Sequence, residues 1–91
     1  MKLVQAAIAG TVESSDVLVT VEPADTLTVE LNSNVKKQFG ASITATVLSV
    51  AQELDITGAK ITLEDKGALD CTIKARTATA LKRAMADKEV K

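Results

Sequence analysis

The residues able to carry chemistry are few, and most fall in one stretch, Gly10-Thr11-Val12-Glu13-Ser14-Ser15-Asp16. Short apolar runs, Ala6 to Val12 and Val17 to Val21, flank it. Both runs are rich in β-branched residues, so the polar stretch reads as a hairpin tip with its side chains in water. A serine at such a tip has a plain structural role, because Ser bonds readily to its own backbone in turns. As a nucleophile it is poorly served. An unactivated hydroxyl needs a neighbouring base, and the chain contains no His. Glu13 and Asp16, ionised in water, are weak bases toward a hydroxyl. An exposed, unactivated serine suits a different role, that of an acceptor which a separate enzyme modifies with its own base. Ser14 is the expected acceptor, although chemistry alone leaves Ser15 and Thr11 open.

The remaining candidates have simpler readings. Cys71 falls on the inward phase of an apparent strand and is expected to be a buried, inert thiol. Asp65 and Asp70 bracket a turn, and a metal held by these alone would be under-ligated. Lys36-Lys37 and Lys82-Arg83 read as solvated helix faces, at most a modest docking surface for an acidic partner. No catalytic and no metal-ligating residue is expected, and enzyme activity is disfavoured.

Composition narrows the function classes further. Ninety-one residues make one domain, 1–91, and a chain of this size buries roughly 60–65% of its unfolded surface. With 11 basic and 12 acidic residues, no global field recruits nucleic acid or an anionic membrane. Phe39 is the single aromatic, so a base-stacking surface has almost nothing to build with. A lone Cys cannot form an internal disulfide, which points to a reducing, cytoplasmic compartment. The start of the chain, Lys2-Leu3-Val4-Gln5-Ala6-Ala7-Ile8-Ala9, faintly imitates a signal peptide, but its apolar run is short and Gln5 interrupts it. No stretch approaches the ~20 apolar residues of a membrane span.

The elements that must position the tip are read from periodicity. Val17, Val19 and Val21 alternate with Leu18, Thr20 and Glu22, the period of a half-buried strand. Glu22-Pro23-Ala24-Asp25 supplies a turn, and Leu27, Val29 and Leu31 alternate beyond it, predicting a hairpin with one apolar face. At Asn32-Ser33-Asn34 the period changes to 3.6, with capping residues in place. Val35, Phe39, Ile43, Val47, Val50 and Leu54 then form one stripe of a helix of about five to six turns. Gly40 within it is expected to permit close packing, and Gly58 fits the left-handed helix exit. A second hairpin is expected from Ile61 and Leu63 through Asp65-Lys66-Gly67-Ala68 to Leu69, Cys71, Ile73 and Ala75. A last helix should run from about Thr77, with Ala78, Leu81, Ala84 and Met85 inward and Lys82, Arg83 and Lys88 toward its C-terminal end, where cations suit the helix dipole.

The two halves superpose at an offset of 42 positions, Val19 to Leu31 matching Ile61 to Ile73 in apolar phase. The expected fold is therefore an α+β two-layer sandwich of two ββα units, an antiparallel sheet of about four strands with two helices on one face. Residues 1–16 stand outside this duplication as a segment carrying the serine, and 17–91 form the body.

Three blocks carry a family resemblance: Ala9-Gly10-Thr11-Val12-Glu13-Ser14-Ser15-Asp16, Val35-Lys36-Lys37-Gln38-Phe39-Gly40 and Asp65-Lys66-Gly67-Ala68-Leu69-Asp70-Cys71. In order and spacing they resemble the citrate lyase acyl carrier protein, the gamma subunit, over nearly the whole chain. The Asp-Ser-Leu attachment site of ordinary helical acyl carriers is absent. The resemblance implies that the first serine of the pair, Ser14, carries phosphoribosyl-dephospho-coenzyme A, 2'-(5''-phosphoribosyl)-3'-dephospho-CoA, through a phosphodiester link, placed there by a prosthetic-group transferase. It further implies that the thiol of this arm holds acetyl as a thioester. The alpha subunit would exchange acetyl for citrate and the beta subunit would cleave the citryl thioester, as in citrate fermentation, with this chain making no bonds itself. The rival readings are the acyl carrier of malonate decarboxylase, which uses the same group with other partners, a plain interaction module, and a small α+β hydrolase. For the hydrolase, the sequence offers no anion-binding Arg with a Gly-rich loop.

Overall fold

The computed structural model describes residues 3–33 and 36–85, and the side chains of the first helix from residue 40 onward. The elements run β1 (Ala7–Gly10), β2 (Val17–Glu22), β3 (Leu27–Ser33), α1 (Lys36–Glu53), β4 (Ala59–Asp65) and α2 (Asp70–Met85). The strands form a single sheet in the order β1-β2-β4-β3. β1 pairs antiparallel with β2, from Ala7↔Val21 to Gly10↔Leu18. β2 pairs antiparallel with β4, from Val17↔Asp65 to Glu22↔Lys60, and β3 lies parallel to β4, from Leu27↔Ala59 to Ser33↔Asp65.

Side-chain alternation decides which face is covered. Val17, Val19 and Val21 of β2 and Ile61 and Leu63 of β4 are fully buried, each such burial stabilising the fold by about 1.5–3 kcal/mol. They meet Ile43, Val47 and Val50 of α1 and Ile73, Ala80, Leu81 and Ala84 of α2 in one core cluster. The α+β class, with four strands and two helices, matches the expectation. The expected stripe holds at Ile43, Val47 and Val50, while Val35, the side chains of Phe39, Lys36 and Lys37, and Lys88 lie outside the described residues.

Several details of the expected arrangement are corrected. β2 and β3 do not form a hairpin, because β4 lies between them, and the sheet is mixed rather than antiparallel. α1 serves as the crossover that a parallel β3–β4 pair requires. The 23–26 connection consequently bridges over the start of β4. A Cβ on Gly58 would stand 2.2 Å from the Ala24 carbonyl oxygen, and the Ala59 amide donates to the Thr26 carbonyl at 3.1 Å. Gly58 is thus required by that crossing and not by the helix exit. The left-handed residue at the exit is Asp55, φ +58°. Its amide donates to Gln52 O and that of Ile56 to Ala51 O, at 3.0 and 2.9 Å, a Schellman closure with Asp55 where Gly is usual.

The second hairpin is also absent. Residues 70–76, expected as strand, form the first turns of α2. Ile73, Thr77, Ala80, Leu81 and Ala84 are its buried residues, spaced for one helical face. Cys71 accordingly stands exposed on α2 and is not the buried thiol that strand phase implied. The fourth strand comes from the N-terminal segment, which joins the sheet as β1.

Candidate functional site

Ser14 lies in the loop between β1 and β2, and both it and Ser15 are exposed. The loop begins at Gly10, φ +93°, whose backbone passes so close to β2 that a Cβ there would meet the Val17 carbonyl oxygen at 1.8 Å. Only glycine satisfies both conditions. The chain then turns over Glu13 to Asp16, the Asp16 amide donating to Glu13 O at 3.1 Å. Ser15, third in that turn, takes the left-handed conformation, φ +65°.

Asp16 organises the loop from beneath. Its Oδ2 accepts from the Thr11 hydroxyl at 2.7 Å, and its Oδ1 accepts from the Val17 amide at 2.7 Å. Thr11 Oγ1 in turn accepts from the Glu13 amide at 3.2 Å. Across the sheet layer, Arg76 of α2 holds the same carboxylate with both arms, Nε to Oδ1 at 3.2 Å and Nη2 to Oδ2 at 3.3 Å. The Thr11 hydroxyl first, then the Val17 amide, and then Arg76 hold the Asp16 carboxyl below its ordinary range, against the opposing effect of partial burial. Asp16 is therefore an anchor kept ionised and occupied, which disqualifies it as a base for Ser14.

The loop is also tied to the turn between β4 and α2. The Ser15 amide donates to Lys66 O at 2.8 Å, and the Lys66 amide donates to Asp16 O at 2.9 Å. That neighbouring turn rests on Asp65, which is buried and accepts from the Ser33 hydroxyl at 2.8 Å and from the Ala68 amide at 2.9 Å. The structure thus brings the first and third resembling blocks side by side. Ser14 alone of the turn Glu13–Asp16 has no hydrogen bond among the described residues.

Sequence reasoning placed the turn and its exposure but missed Arg76, 60 positions from its partner. No local signal links the two. Gly10 and Gly67, both with positive φ, are the residues that could have marked two tight turns. Cys71, Asp70 and Lys74 line a separate shallow depression between the helices with Thr46 and Ser49. Among the described residues no three His, Cys, Asp or Glu side chains group as a metal site, and no helix is long and apolar enough to cross a membrane.

Ser14 thus presents an exposed hydroxyl on a loop fastened at its base. The acyl carrier protein family described as malonate decarboxylase delta subunit (MdcD) matches residues 4–84. A citrate lyase acyl carrier protein from Haemophilus influenzae (strain PittEE) is 56% identical over 84 residues, covering 92% of this chain and 88% of the relative. One from Treponema denticola is 49% identical, covering 92% and 97%. The chain belongs to the citrate lyase acyl carrier protein family. A chain of a Pseudomonas malonate decarboxylase hetero-tetramer, solved with malonate, shares the fold at a TM-score of 0.66 and 18% identity, covering 92% of this chain and 88% of that one.

Proposed function

We propose that this chain is the acyl carrier subunit of citrate lyase, a single carrier domain that makes no bonds itself and works in the cytoplasm. Ser14 Oγ is the point of covalent attachment for phosphoribosyl-dephospho-coenzyme A, whose thiol supplies a thioester handle for acetyl and citryl groups. The observation that carries the proposal is an exposed Ser14 hydroxyl, unpaired among the described residues, between residues whose backbones are tied. Such a residue fits a bulky phosphodiester substituent, because nothing in the loop has to be broken to accept it. Ser15 is less suited, since its amide is bonded to Lys66 and its backbone is left-handed.

The rest of the loop supplies what a carrier needs. Gly10, Thr11, Asp16 and Arg76 fix the base of the arm to the sheet and to α2. A tether from a fixed point raises the effective concentration of its cargo at the alpha and beta subunits without new contacts. The modifying enzyme, a prosthetic-group transferase, must supply the base, because no group among the described residues is placed to activate Ser14. The acyl carrier of malonate decarboxylase remains the second reading, favoured by the family description and the hetero-tetramer, while the curated relatives favour citrate lyase.

The experiment is Ser14→Ala. The variant is expected to melt with the parent, to take up no prosthetic group, and to leave reconstituted lyase without citrate cleavage. Continued attachment would move the site to Ser15.

A further inference from the structure

The sheet has two edges, and they are finished differently. At the β1 edge, Arg83 Nη1 donates to the Ile8 carbonyl at 2.9 Å. The segment before β1 closes on the end of α2, with the Val4 and Gln5 amides on Ala84 O at 3.0 and 3.2 Å and Gln5 Nε2 on Arg83 O at 2.8 Å. That edge is occupied. At the β3 edge the only device against strand addition among the described residues is the charge of Glu30. It is seven residues long, Leu-Thr-Val-Glu-Leu-Asn-Ser, without Pro, Gly, Lys or Arg.

Above this edge lies a groove of about 780 Å³. Val29 and Leu31 line it from β3, and Ala41, Thr44, Ala45 and Leu48 line it from α1. Those four α1 residues recur at spacings of three, one and three, a second stripe apart from the buried Ile43, Val47 and Val50. Small side chains over an edge strand leave room for the side chains of one more strand. Among the described residues lining the groove, Glu30 is the only charged one.

Glu30 also decides the occupant. It is the middle residue of β3, so antiparallel pairing of two copies in full overlap would set Glu30 against Glu30, which is destabilising. Its contact with Lys60 is long, 3.9 Å, between two exposed side chains, and leaves the carboxylate open to a better cation. We infer that β3 is the docking edge for a strand of a partner subunit, apolar on the residues that enter the groove and bearing Lys or Arg opposite Glu30. Strand addition of this kind draws affinity from main-chain hydrogen bonds and specificity from alternate side chains. The inference rests on the reading of this chain as a subunit of a lyase complex. It also leaves Ser14 clear, since the serine sits on the β1–β2 loop and the docking edge is on the opposite side of the sheet.

The test uses the full chain mixed with the alpha and beta subunits, followed by size-exclusion chromatography and amide hydrogen exchange. Alternate amides in residues 27–33 are expected to exchange about tenfold or more slowly in the complex than in the isolated chain. Ala45→Arg, which fills the groove from an exposed position, and Glu30→Lys are expected to weaken assembly by about tenfold or more, with the melting temperature and attachment at Ser14 unchanged. A complex that forms with β3 unprotected and is indifferent to Ala45→Arg overturns the inference while leaving the carrier function standing. Protection of β3 in the isolated chain with a doubled mass overturns it in favour of a second copy. If neither subunit co-elutes with the parent chain, the carrier reading falls with it.

Discussion

Two turns meet at one end of the sheet, and each is built on an aspartate and a left-handed glycine. In the serine-bearing loop these are Asp16 and Gly10, φ +93°; in the turn between β4 and α2 they are Asp65 and Gly67, φ +88°. Asp65 is 1% exposed and binds β3 to the start of α2. Asp16 is half-covered and binds mostly its own loop, with Arg76 reaching in from α2. The glycines differ in the opposite sense. A side chain at Gly10 would strike β2, whereas one at Gly67 would meet nothing within 4 Å. One turn is therefore part of the body, and the other is a separate piece fastened to it, which lets Ser14 be held in place without being part of the core.

The contrast can be broken at four positions, and the expected effects descend in size. Gly10→Ala combines a forbidden conformation with a backbone clash, and it should lower stability by roughly 3 kcal/mol or more in urea denaturation. Asp65→Ala removes the acceptor of the Ser33 hydroxyl and of the Ala68 amide in a buried place, for an expected loss of about 2–3 kcal/mol by the same measurement. Gly67→Ala adds only left-handed strain in open space, about 1–2 kcal/mol. If Gly10→Ala and Gly67→Ala cost the same, the close approach of the loop to Val17 does not matter and the distinction fails.

Asp16→Asn should act locally. The expected result is faster amide exchange at Ser15 and Val17, with the exchange of Ile61 and Leu63 unchanged. The pH dependence follows from the lowered pKa of Asp16, which lies below its ordinary value of 3.8. A carboxyl held lower in the folded chain stabilises at every pH above its unfolded value and loses that contribution as pH falls through the folded one. Loop protection in the parent should therefore be flat from pH 7 to 5, and the difference from Asp16→Asn should close only below about pH 4.

What the sequence disclosed, and what it hid, follows from the range of the interactions. The alternation of Val17 to Val21 and of Ile61 to Leu63, and the stripe Ile43, Val47 and Val50, are local patterns, and each became the element expected. Leu69, Cys71, Ile73 and Ala75 alternate equally well, yet they begin a helix. Over seven residues a strand and a helix share too many apolar positions to separate. Ile73 also belongs to the longer series through Thr77, Ala80, Leu81 and Ala84. Length settles the matter once Ala-rich, straight-chain residues continue to Met85. The apparent β2–β3 hairpin failed because pairing partners are chosen in space; β4, buried on its covered face, took the central place. The serine tip was legible because turn chemistry is local, and its clasp by Arg76 was not, being a contact between distant parts of the chain.

The central claim is that Ser14 bears the prosthetic arm, and the direct measurement is peptide mapping by tandem mass spectrometry of chain purified from the cell that produces it. The account predicts a phosphoribosyl-dephospho-coenzyme A adduct on Ser14, absent from Ser14→Ala. An adduct on Ser15, or an unmodified Ser14 in chain that supports citrate cleavage, would contradict it.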